Sequence, residues 1–167
     1  EAVWSLAGSG DLPRDPTVTG ELAGARLAGA VDVADLASEA AAQYRLHILD
    51  GAFEPLLRRL PGPEGREILE GGRAVSGGES FVVRNLQPGR AVVLVARSNG
   101  SFRLRVETGE GFRGIWLAEA GGPGSWNESA YTIPAQSVRG DRMTVRLFSD
   151  DPHHSGYGSF HYWIYQR

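Results

Sequence analysis

From Arg66 to its end the chain is broken by turn-forming clusters about every ten residues: "GG" at 71 and again at 77, "QPGR" at 87, "SNGS" at 98, "TGEG" at 108, "AGGPG" at 120, "VRGD" at 138 and "SGYG" at 155. No helix of ordinary length fits between such breaks. Short strands do, and a series at this spacing closes into a sandwich or barrel. Two runs alternate with period two. In "SFRLRVE" Phe102, Leu104 and Val106 fall on one side, with Arg103, Arg105 and Glu107 on the other; "RMTVRLF" repeats the pattern with Met143, Val145 and Leu147 inward. These are strands with one wet face. By contrast "AVVLVA" (91–96) and "FHYWIY" (160–165) are apolar on both sides, as strands central to a sheet are. In the second, Phe160, Tyr162 and Ile164 are expected in the core, and His161, Trp163 and Tyr165 only partly covered.

The first half is less regular. Residues 1–30 are rich in Gly, Ala and Pro, and an early strand at residues 2–6 followed by coil is the expectation. In "VDVADLASEAAAQYRLHILD" a helical turn at 38–42 with Ser38 as its cap precedes a strand at 44–49, and 54–60 reads as a second helical turn before "PGPEG". At 167 residues the chain suits one domain, 1–167, whose sandwich is best defined over 66–167. The fold class expected is all-β: an antiparallel β-sandwich of jelly-roll type with about eight to ten strands and one or two short helical turns.

Composition removes several chemistries. There is no cysteine, hence no disulfide, thiolate nucleophile or cysteine-held zinc, and no lysine for a Walker A loop, a pyridoxal Schiff base or a kinase ion pair. Net charge is −3 with the arginines scattered, so no nucleic-acid partner is expected. No apolar run is long enough to cross a membrane, and position 1 is Glu, which reads as an excised or processed fragment of an extracytoplasmic protein.

The motifs are weak. "GEGFRG" (109–114) matches the spacing of a dinucleotide fingerprint, but strand-like "IWLAEAGG" follows instead of a helix, so a hairpin turn accounts for its glycines. "SDDPHH" supplies Asp150, Asp151 and His153 as candidate metal ligands, calcium before zinc, against the simpler reading of a solvated loop. No G-x-S-x-G is present, and carboxylates such as Glu119 and Glu128 would serve a glycosidase only across a cleft. No catalytic residue is therefore assigned.

Sugar recognition asks for aromatic faces beside planar hydrogen-bonding groups. Trp126 after the "AGGPGS" loop, Tyr157 in "HHSGYGSF" and Trp163 in the closing strand, with Arg103 and Arg105 on a wet face, are the candidate ligand-binding residues. The competing reading buries the rings as core.

The sequence "GGESFVVRNLQPGRAVVLVARS", followed by "FRLRVE", "SWNESAYTIPAQSVRGDRMTVRLF" and a closing aromatic strand, resembles the galactose-binding-like jelly rolls. More narrowly, this order and the ending "FHYWIYQ" resemble an extracytoplasmic β-sandwich domain appended to bacterial multi-spanning membrane proteins of glycosyltransferase type. The resemblance covers residues 66–167. It implies a non-catalytic accessory module outside the cytoplasm that binds glycans or holds a neighbouring domain of the same chain, and it implies a structural calcium without assigning ligands. The alternatives are a structural or interaction domain and a hydrolase.

Overall fold

A computed structural model describes residues 22–48, 54–61, 67–119, 124–150 and 156–167. The strand expected at 2–6 lies outside these, as do Asp151 and His153. The described elements are β1 (Arg26–Asp32), α1 (Leu36–Ala41), β2 (Arg45–Ile48), β3 (Glu54–Pro61), β4 (Glu67–Val75), β5 (Gly77–Val83), β6 (Val92–Ser98), β7 (Phe102–Thr108), β8 (Arg113–Ala118), β9 (Asn127–Ile133), a 3-10 turn (Ala135–Ser137), β10 (Met143–Ser149), β11 (Tyr157–Ser159) and β12 (His161–Gln166). Every pairing among the described residues is antiparallel.

Two sheets face each other, one of four strands in the order β1-β12-β6-β9 and one of five in the order β2-β5-β10-β7-β8. This is an all-β antiparallel sandwich of jelly-roll type. Its core forms where the alternating runs meet: Phe102, Leu104 and Val106 of β7 and Met143, Val145 and Leu147 of β10 are buried against Val92, Leu94, Ala96, Tyr162 and Ile164 of the other layer. The "GEGFRG" glycines do make the β7–β8 hairpin turn, where Gly111 takes φ of 90°, a conformation that favours glycine. β6 is buried on both faces, as its composition required: Val93 and Val95 turn away from the core and pack with Trp163 and Tyr165. Those two rings are more covered than the sequence suggested, because Leu22 and Ala25 pack on that face.

A third sheet, β11-β4-β3, continues from the sandwich. β4 runs into β5 across Ser76, and β11 into β12 across Phe160, so two long strands bend and change sheet. The bend takes Phe160 out of alternation with Tyr162 and Ile164, and it packs instead with Ile68 and Trp126. Residues 54–60 are strand, not helix. Leu56 and Leu60, four apart, suit a helical face, but an even spacing suits one face of a strand equally, and the ladder to β4 decides. The cap of α1 is Asp35, whose Oδ1 accepts from Ala37 and Ser38 amides; Ser38 Oγ instead accepts from the Asp32 amide.

One carboxylate sits inside the core. Glu79 of β5 is fully buried and accepts hydrogen bonds from the hydroxyls of Tyr44, Tyr157 (2.6 Å) and Tyr162. Burial pushes its carboxyl above the usual range, outweighing the hydroxyl donors.

Candidate functional site

The outer face of the five-stranded sheet is built by period two from the same strands that fill the core. Its register aligns Arg45, Ser80, Arg146, Glu107 and Arg113 in one row, and His47, Gly78, Phe148, Arg105 and Ile115 in the next. Arg103 and Leu117 continue it. At the centre Phe148 lies across Gly78: a Cβ there would come within 2.6 Å of Phe148 Cδ1, so glycine is what lets the ring lie on the sheet. The His47 ring stands 5.7 Å from Phe148 on one side, its Nε2 2.9 Å from Ser80 Oγ. On the other, the Arg105 guanidinium sits 5.2 Å from the ring centre. Arg103 Nε donates to Asp150 Oδ2 at 2.8 Å, and Arg105 Nε to Glu107 Oε1 at 3.1 Å. The result is an aromatic platform framed by planar hydrogen-bonding groups.

Of the residues singled out from sequence, the structure brings together Arg103 and Arg105 on this face. It places the three rings elsewhere. Trp126 is buried against Phe160 and donates Nε1–H to the Ile68 carbonyl, Tyr157 is committed to Glu79, and Trp163 is 2% exposed beneath the outer face of the four-stranded sheet. None offers a free face, because neighbouring segments cover what the loop context suggested was open. Asp150, a candidate metal ligand, is held by the two arginines instead. Sequence reasoning missed Phe148 and His47. The signal for Phe148 was available: in "RMTVRLF" it falls on the polar side of an alternating strand.

A second constellation crosses the four-stranded sheet on the face away from the core. One register line runs Asp32, His161, Arg97, Glu128 from β1 through β12 and β6 to β9, and Glu70 of β4 closes over it. Arg97 is buried, donating to Glu70 Oε2 at 2.8 Å and Glu128 Oε1 at 2.6 Å, with its guanidinium 4.8 Å from the Trp163 ring centre and 5.9 Å from that of Trp126. His161 stacks on Trp163 at 4.2 Å. Burial pushes the Asp32 carboxyl up to about 6, against the pull of His161. For Glu70, burial raises the value, but His161 and Arg97 outweigh it and hold the group below the usual range. No local pattern betrays this row, since its members come from five strands.

No protein-family model matches the chain, and no curated protein matches it by sequence. Solved structures do match. A variant of an exo-β-1,3-galactanase from Phanerochaete chrysosporium, solved with β-1,3-galactotriose, superposes with TM-score 0.50 at 9% identity over 84% of this chain and 29% of its own. A family 35 carbohydrate-binding module from Clostridium thermocellum gives 0.44 at 11% identity over 66% of this chain and 97% of its own. A family 6 carbohydrate-binding module gives 0.40 at 11% over 74% and 93%. The chain thus spans about three-tenths of the galactanase's length, and at this identity the likeness is one of fold alone.

Proposed function

We propose that the chain is a non-catalytic accessory module that binds glycans on the open face of its five-stranded sheet, with sugars bearing carboxylates as the favoured class. The observation that carries this reading is Phe148, a partly exposed ring packed on Gly78 between His47 and Arg105. A ring in that posture suits the apolar face of a pyranose, and the guanidinium groups beside it suit hydroxyls and carboxylates. Charge sharpens the class. Arg45, Arg103, Arg105, Arg113 and Arg146 share the face with the carboxylates of Glu107 and Asp150, on a chain whose net charge is −3. Its place as an extracytoplasmic appendage of a bacterial membrane protein of glycosyltransferase type is part of the same proposal, and is supported by the resemblance of its last hundred residues.

Calorimetry against neutral and uronate-containing polysaccharides tests it. The expected result is binding to the acidic set that weakens with salt, reduced about tenfold by Phe148→Ala and by Arg105→Ala with the unfolding temperature little changed. Absence of heat with every polysaccharide would overturn it. A second reading, a docking surface for a neighbouring domain, is favoured by Ile115 and Leu117, which are 41% and 61% exposed on edge strand β8. It predicts that Leu117→Ser abolishes association with that domain and leaves glycan titrations untouched.

A further inference from the structure

Glu70 presents an anomaly independent of the glycan reading. Its side chain is 2% exposed; Oε2 accepts from Arg97, but Oε1 is buried and accepts no hydrogen bond among the described residues. A buried carboxylate oxygen whose facing group is an imidazole nitrogen at 3.4 Å, beyond good hydrogen-bond geometry, is poorly satisfied, and has use for a closer partner. Oε1 points at His161 Nδ1, 3.4 Å away, and Nδ1 in turn lies 4.0 Å from Asp32 Oδ1. One donor atom from each of Asp32, Glu70 and His161 lies within 4.8 Å of the others.

The geometry points to a divalent transition-metal site, of zinc type, held by Asp32, Glu70 and His161. Donors about 2.0–2.1 Å from a tetrahedral ion stand roughly 3.4 Å apart, which is already the separation of His161 and Glu70. Asp32 needs to close by about 1 Å, and its carboxylate, 38% exposed, has the room. An imidazole nitrogen in the donor set selects zinc-class ions over calcium and magnesium, which take oxygen. The ion would join β4 of the third sheet to β1 and β12 of the sandwich, clasping the β3–β4 hairpin to the body of the fold.

The test uses the full chain stripped with chelator and titrated separately with zinc, cobalt, calcium and magnesium salts. Expected are one equivalent of zinc by calorimetry, a rise of several degrees in unfolding temperature that chelator reverses, and quenching of tryptophan fluorescence by cobalt, because the Trp163 indole stacks on His161. Asp32→Asn and His161→Gln, at partly exposed positions, should each fold and lose zinc by more than about tenfold. The double variant His153→Gln/His154→Gln should bind as the parent does. No uptake of zinc, stabilisation by calcium alone, or binding lost with His153 and His154 instead of His161 would each overturn the assignment.

Discussion

Arg97 follows five aliphatic residues in its strand, Val92 to Ala96. It is 2% exposed, on the face that also carries Val93 and Val95. Its guanidinium is tolerated there because the carboxylates of Glu70 and Glu128 accept its hydrogen bonds and it lies over the indoles of Trp163 and Trp126. Removing it takes a shared guanidinium from two buried carboxylates. Arg97→Ala is expected to destabilise the fold by about 3–5 kcal/mol, measured by urea unfolding, and Arg97→Lys to recover only part of this, since an ammonium cannot reproduce the forked geometry. The neighbouring strand position shows the opposite solution: Ala96, one residue earlier, faces the core and carries no polar atom beyond its backbone.

At the scale of elements, what was readable in the sequence was set by local rules. Period two in β7 and β10 gave the inward and outward residues correctly, and the two-sided apolar run of β6 gave its central place. The bend at Phe160 was not readable, because which strand leaves a sheet depends on the ladder it meets in β4, a pairing across some eighty residues. The candidate site divides along the same line. The outward place of Arg103 and Arg105 was readable by alternation, whereas the exposure expected of Trp126 and Tyr157 was not met, because a ring beside a glycine-rich loop is open only if no other segment packs on it. Gly78 on β5 tests the platform as an element. Gly78→Val puts carbon into the space of the Phe148 ring and the Leu147 carbonyl, and should lower both the unfolding temperature and glycan affinity. Loss of affinity without loss of stability would mean that the ring is displaced while the strands stay paired.

For the whole molecule the central question is how a carboxylate survives between the layers. Glu79 is held by three phenol hydroxyls, and burial still raises its affinity for a proton above that of an unfolded glutamate, whose ordinary value is 4.5. The folded state therefore binds more protons than the unfolded one above that value. Stability contributed by the proton is complete at lower pH and is lost as pH rises from about 4.5 through the raised folded value. Unfolding midpoints measured across this range should fall with pH, and Glu79→Gln should flatten the slope. Two residues side by side on β12 belong to the two polar centres on opposite faces of one sheet, Tyr162 to Glu79 and His161 to Glu70. A slip of a single residue along β6 or β1 would carry the imidazole inward among aliphatic side chains and the phenol outward against a guanidinium. Misaligned assembly thus meets a penalty on both sides at once, and the closing strand has one seat in which it can come to rest.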